Sequence, residues 1–269
     1  MALCVLAVLF ARSRNVGLLD GLNLVIATST NFQPFYAGIN NLPSSAALYP
    51  ELAELEDAFD AVQAEVVSLL PLAHRVPTME TTYNNMFLNA ASQKHRKPPF
   101  YRLLANHAWR LLYGGHLDIF NEIATPQWRT LNLIVYGNPV LENMKLCPRL
   151  SAHLTEMKCV QTALLSFMLA GANVPAHTDP ATGVLRYHLA FKVPTNPEGC
   201  AMMVNDTRYV WKEGESVIFD TAFPHSVVNA TDECRLVLFL DLHRPLRGAA
   251  KLLQDIANLA NRYSPGTLA

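Results

Sequence analysis

Hydrophobic and polar positions change rhythm part-way along the chain. Between Glu51 and Leu70, the residues Leu52, Leu55, Phe59, Val62, Val66 and Leu69 recur at steps of three and four. That spacing predicts one apolar helical face, and Pro50 ahead of it suits a first helical turn, where its missing N–H is no loss. The preceding stretch, Asn31 to Pro50, is rich in Pro, Asn and Ser and reads as irregular. Arg102 to Tyr113 reads as another short helix, stopped by Gly114 and Gly115. From about Thr162 the texture becomes β-rich. Short runs at Thr162–Leu169, Leu185–Val193, Cys200–Val204, Tyr209–Trp211, Ser216–Asp220, Ser226–Asn229 and Arg235–Asp241 are separated by Gly, Pro, Asn and Asp. Several short strands at regular spacing predict an all-β sandwich or barrel, of which a cupin-like jelly roll is one solution. Beyond Pro245, Leu252, Leu253, Ile256 and Leu259 return to helical spacing and predict a closing helix.

The expected organisation is therefore a mainly β core with flanking N-terminal and C-terminal helices. An apolar N-terminal segment covers 1–25, and a helical and irregular part packed on the core covers 26–150. The β core covers 151–247, and a C-terminal helix and tail cover 248–269. With 51% hydrophobic and 16% charged residues among 269, the composition allows a sizeable core and argues against wholesale disorder. The net charge of -1 gives no nucleic-acid footprint. The basic cluster Lys94-His95-Arg96-Lys97 reads first as a solvated loop and second as a site for phosphate or a membrane surface. Five cysteines without a CxxC pair argue against a disulfide framework and a cysteine zinc site, so reduced thiols in a cytoplasmic setting are expected. Ala2 to Ala11 is apolar but too short to span a bilayer as a helix. Arg12 and Arg14 follow that run, the wrong order for a secretory signal. A buried or interfacial helix is the first reading, and a peripheral or anchored membrane association stays open. A monomer is expected.

The candidate chemistry starts at His177-Thr-Asp179, whose side chains fall on one side of an extended segment. His225 follows in Phe223-Pro-His225, and Arg235 opens a strand ten residues later. Two imidazoles and one carboxylate are the preferred ligand set of non-haem Fe(II) oxygenases, because they cover one face of the metal and leave the other open. A guanidinium grips carboxylate in a fork, so Arg235 suits the distal carboxylate of 2-oxoglutarate, with a strand returning antiparallel from His225 to bring it back. Ser166, in an otherwise apolar run, either adds a hydrogen bond there or is a plain core hydroxyl. Read with period two, Leu185, Tyr187, Leu189, Phe191 and Val193 share one strand face, and Arg186 and His188 share the other. The apolar face is expected in the core and the polar face at the barrel mouth.

The ordered set His177-Thr-Asp179-Pro180, Leu185-Arg-Tyr-His-Leu189, Ile218-Phe-Asp220, His225 and Arg235 resembles the aspartyl/asparaginyl β-hydroxylase family of Fe(II)/2-oxoglutarate dioxygenases. The resemblance spans roughly Cys147 to Pro245, and within the family it looks most like the bacterial lipid A 2-hydroxylases of acyl chains. It implies a double-stranded β-helix core and iron ligands at His177 and His225. It implies co-substrate contacts from Arg186 and His188, with Arg235 and Ser166 on the far carboxylate. Animal enzymes acting on epidermal-growth-factor-like domains lack a carboxylate at the position of Asp179, whereas the lipid A branch has one. The implied cofactors are Fe(II), 2-oxoglutarate and O2. The implied reaction is hydroxylation of an unactivated carbon, on an Asp or Asn side chain of a polypeptide or on a lipid acyl chain. Two alternatives stay open: a catalytically inactive cupin-like binding module, and a zinc hydrolase built on the same ligands.

Overall fold

The computed structural model describes residues 25–26, 30, 32–39, 42–82, 123, 125–179 and 182–262. The apolar run at Ala2–Ala11, the basic cluster at Lys94–Lys97 and the helix expected over Arg102–Tyr113 lie outside these residues. In chain order the elements begin with strand β1 (Phe35–Ala37) and helices α1 (Ser45–Leu48), α2 (Ala53–Asp57) and α3 (Phe59–Val67). Strands β2 (Trp128–Val135) and β3 (Asn138–Pro139) and helices α4 (Leu141–Met144) and α5 (Pro148–Glu156) follow. Then come β4 (Val160–Met168), β5 (Asn173–His177), β6 (Val184–Lys192), β7 (Cys200–Val204) and β8 (Thr207–Val210). The chain ends on β9 (Ser216–Phe219), β10 (His225–Asn229), β11 (Arg235–His243) and helix α6 (Gly248–Arg262).

The strands form two antiparallel sheets, one ordered β1-β9-β6-β11-β4-β2-β3 and the other β5-β10-β7-β8. From β4 onward the chain passes back and forth between them, which is the winding of a jelly roll. The larger sheet is buried on both faces. Leu185, Tyr187, Leu189 and Phe191 of β6, with Leu236, Leu238 and Leu240 of β11, pack against Leu52, Leu55, Val62, Val66, Leu150 and Leu154 of the helical layer. Ala190, Val217, Phe219 and Val237 on the opposite face meet Cys200, Met202 and Val204 of the smaller sheet. The period-two reading of β6 therefore assigns the faces correctly: its apolar face packs on the helices, and Arg186 and His188 point between the sheets.

The helical face predicted over Glu51–Leu70 is the packing face, with Leu52, Leu55, Val62, Val66 and Leu69 buried. Each such side chain contributes about 1.5–3 kcal/mol by leaving water. The helix is not continuous: it divides at Ala58, where φ -85° and ψ 9° leave the α region. Glu56 then reaches the sheet, accepting from the Tyr187 hydroxyl at 3.1 Å and the Ser216 hydroxyl at 2.7 Å.

Three expectations need correction. The stretch Asn31–Pro50 is not irregular throughout, since it contains β1 and α1; β1 pairs with β9 and so gains ladder hydrogen bonds that its local sequence does not announce. Gly38 closes that strand at φ 75°, and any Cβ there would collide with the Ser216 carbonyl. The closing helix α6 forms, but Leu252, Ile256 and Leu259 are exposed, while Ala250 and Ala257 make its buried contacts with Leu246, Val25 and Ile26. Finally, β11 does not return beside β10: the two strands lie in opposite sheets. The described cysteines, Cys147, Cys159, Cys200 and Cys234, are free thiols.

Candidate active site

His177 ends β5 and His225 begins β10, and the two residues are direct partners across that antiparallel pair. Their rings lie 4.2 Å apart between centroids. Asp179 follows His177 by two residues, and its backbone N–H donates to the Thr221 carbonyl at 2.9 Å. Its Oδ1 lies 3.8 Å from His177 Nε2 and 4.0 Å from His225 Nε2. Ligand atoms of the three residues fall within 4.8 Å of one another, close enough to hold one metal ion. The tautomers are fixed by the backbone. His177 Nδ1 faces the Pro175 carbonyl at 2.8 Å, and His225 Nδ1 faces the Phe223 carbonyl at 3.0 Å. A carbonyl only accepts, so each Nδ1 carries the proton and each Nε2 keeps its lone pair for the centre. Burial pushes the His225 imidazole down to about 4, against the pull of Asp179, so it stays neutral and ligand-ready. Burial also raises the Asp179 carboxyl, but Arg186, His225 and His177 outweigh it and hold the group below its usual range.

A cavity beneath this cluster is lined by His177, His225, Ser166, Arg186, His188 and Arg235, among others. Arg235 arrives from the sheet opposite His225, so the two meet across the barrel and not along a hairpin. Its guanidinium is 2% exposed and stacks over Trp211 at 4.6 Å. Its Nη2 donates to Ser166 Oγ at 3.0 Å, and its Nε has no partner. Among the described residues no carboxylate forms an ion pair with it. Ser166 also accepts from Trp128 Nε1 at 3.0 Å, which fills both hydroxyl lone pairs and leaves its hydrogen to donate. His188 is enclosed by Phe219, Phe239 and Trp211, and neither ring nitrogen has a partner. Burial, then Arg235, holds its imidazole well below the usual range and therefore neutral.

Arg186 sits on a wall shared with a second, larger cavity of about 100 Å³. Its Nη2 contacts Asp179 Oδ2 at 2.8 Å and Asp241 Oδ1 at 2.9 Å, and its Nε donates to Asp241 at 3.1 Å. The guanidinium lies flat on Phe239, 4.1 Å from the ring centroid. Asp179 is thus split between two tasks, one oxygen toward the imidazoles and the other on Arg186. Among the described residues, the larger cavity is lined by apolar Met79, Ile123, Trp128, Leu164 and Phe239, by the polar Thr82, Asn132, Tyr136 and Thr162, and by the charged Asp179, Asp241 and Arg186.

The family model described as aspartyl/asparaginyl beta-hydroxylase matches residues 56–245 of the chain. The chain belongs to this family. It is 28% identical over 242 residues to the ornithine lipid ester-linked acyl 2-hydroxylase of Rhizobium tropici, a match covering 88% of this chain and 73% of that protein. Identity to aspartate beta-hydroxylase domain-containing protein 2 of Mus musculus is 29% over 140 residues, 49% of this chain and 40% of that one. Identity to the aspartyl/asparaginyl beta-hydroxylase of Mus musculus is 38% over 81 residues, 30% of this chain but only 10% of that protein.

In this member of the aspartyl/asparaginyl β-hydroxylase family, all seven sequence-derived candidates border the two adjoining cavities. Sequence reading missed Asp241 and Arg244. Asp241 shares the inward face of β11 with Arg235, so the period-two rule carried along Arg235–Asp241 finds it. Arg244 carries no such signal. It bridges the fully buried Asp220 at 2.7 Å, the Thr182 and Val184 carbonyls and the Tyr36 hydroxyl, and it holds the loop whose Thr221 carbonyl receives Asp179. Asp220, read only as part of a motif, is therefore a structural anchor.

Proposed function

We propose that this family member is an Fe(II)- and 2-oxoglutarate-dependent dioxygenase that hydroxylates an unactivated carbon of a lipid acyl chain. The observation that carries the reading is Arg235, a buried cation with no carboxylate partner among the described residues, at the base of the cavity under the His–Asp–His cluster. Burying an ion costs several kcal/mol unless it is paired, so an unpaired guanidinium in a roofed cavity is matched to an anionic ligand. Trp211, Ser166 and His188 around it fit one arm of a dicarboxylate: aromatic surface, a free O–H donor and a neutral imidazole. A zinc hydrolase needs no such carboxylate site for its chemistry, whereas a 2-oxoglutarate-dependent enzyme does.

His177 Nε2, His225 Nε2 and an Asp179 oxygen are the atoms that would hold the metal, a donor set suited to iron. When bound, iron allows one oxygen atom of O2 to enter a C–H bond while 2-oxoglutarate is split to succinate and CO2. The chain itself does four things. Arg235 and Ser166 grip the far carboxylate of 2-oxoglutarate and fix its direction. The Pro175 and Phe223 carbonyls hold both imidazoles in register. Arg186 keeps Asp179 ionised and turned toward them. Phe219, Phe239 and Trp128 exclude water from the reacting face. The larger cavity opens beside the ligands and takes the group to be hydroxylated. A lipid acyl chain is favoured over an Asp or Asn side chain by the apolar wall of Met79, Ile123, Leu164 and Phe239, and by the Rhizobium tropici relative. The test is succinate formation from 2-oxoglutarate with added Fe(II), together with a one-oxygen mass gain on ester-linked acyl lipids. Succinate without any lipid product, but with hydroxylated aspartyl peptides, would reassign the substrate.

A further inference from the structure

Among the described residues lining the larger cavity, Arg186 is the sole arginine or lysine, and two carboxylates, Asp179 and Asp241, line it as well. Two of its nitrogens are already held by those carboxylates at 2.8–3.1 Å. Asp179 is shared with the candidate metal, whereas Asp241 touches no candidate ligand. With a metal in place, Asp241 remains as the dedicated counter-charge of Arg186. An incoming carboxylate would meet a guanidinium whose Nε and Nη2 are already taken, and would lie beside the like charges of Asp179 and Asp241 in a poorly solvated wall. An uncharged group meets Met79, Ile123, Leu164 and Phe239, with Thr82, Asn132, Tyr136 and Thr162 beside them, and sets no like charge against Asp179 and Asp241.

We propose that Asp241 is a specificity-determining residue: by occupying Arg186 it makes the larger cavity take an uncharged aliphatic group and reject an aliphatic carboxylate. The inference rests on the reading above, in which this cavity receives the group to be hydroxylated. It is discrimination by a repulsive element built against the wrong ligand. It also separates two uses of one scaffold. With Asp241 present the arginine is a wall; with Asp241 neutralised the same arginine becomes a receptor for an acidic side chain.

Two probes differing by one charge test this: N-acetyl-aspartyl amide and its side-chain methyl ester. Each is titrated calorimetrically into protein holding Zn(II) and N-oxalylglycine, an unreactive 2-oxoglutarate analogue. The wild type binds the ester at least about tenfold more tightly than the acid, and Asp241→Asn binds the acid at least about tenfold more tightly than the wild type does, because a charge-assisted hydrogen bond to Arg186 becomes available. The ester is unaffected by the substitution. Asp241→Ala repeats the measurement without an amide oxygen, and thermal melting checks that both variants fold. Should neither fold, the wild-type acid–ester ratio decides alone. Equal binding of acid and ester by the wild type, binding of neither, or an unchanged ratio in a folded variant overturns the proposal. Failure of N-oxalylglycine to bind the wild type sinks the dioxygenase reading instead; the acid–ester comparison is then read on protein with Zn(II) alone.

Discussion

Arg186 and Arg235 are both buried, both lie on a ring, and have opposite surroundings. Arg186 is stacked on Phe239 and charge-paired with Asp179 and Asp241. Arg235 is stacked on Trp211 and, among the described residues, donates to the Ser166 hydroxyl alone. Desolvation weakens the charged form of both; the two carboxylates more than restore Arg186, whereas Cys200 and Cys234 offset only part of the loss at Arg235. A balanced guanidinium holds a wall together. An unbalanced one is stable only because the remaining fold tolerates it, and it marks the place where a ligand supplies the missing charge.

The largest expected effect removes the centre that both arginines flank. His225→Ala abolishes succinate formation and the retention of Fe(II) through gel filtration; retained metal with normal turnover would remove His225 from the site. Next, Arg186→Met leaves two carboxylates facing each other and lowers the unfolding free energy in urea by about 3–5 kcal/mol. Arg235→Met does the reverse in the ligand-free protein: replacing an unpaired buried charge with an apolar side chain of similar length is neutral or stabilising by about 1–4 kcal/mol. Similar losses in both variants would show that Arg235 already has a partner and would erase the contrast. The smallest effect is Ser166→Ala, which weakens 2-oxoglutarate binding by about 0.5–1.5 kcal/mol, a severalfold rise in the concentration needed, since Arg235 remains.

The jelly-roll core was legible because its strands carry period two and their two faces differ in chemistry, as in Leu185-Arg-Tyr-His-Leu189. The strands β1, β2 and β5 were not. β5 is only five residues, with Pro175 within it, and draws its pairing from β10, its neighbour in the smaller sheet and far away in sequence. The candidate ligand set stood out because a His-x-Asp turn and a later histidine form an ordered pattern, and the three side chains do cluster. The carbonyls that fix the imidazole tautomers could not, since backbone acceptors have no residue identity. Arg244 and its bond to Asp220 were hidden for a related reason: a buried ion pair joins positions 24 residues apart without local periodicity. Asp241 lay within reach, one alternation beyond Phe239 on the face that Arg235 begins.

Titrating 2-oxoglutarate into the metal-loaded protein and into its Arg235→Met variant tests the central claim most directly. One molecule binds per wild-type chain, and the variant loses at least about a hundredfold in affinity, as expected when one partner of a buried charge pair is removed. Equal affinity in the two proteins would contradict the assignment of Arg235 to the co-substrate.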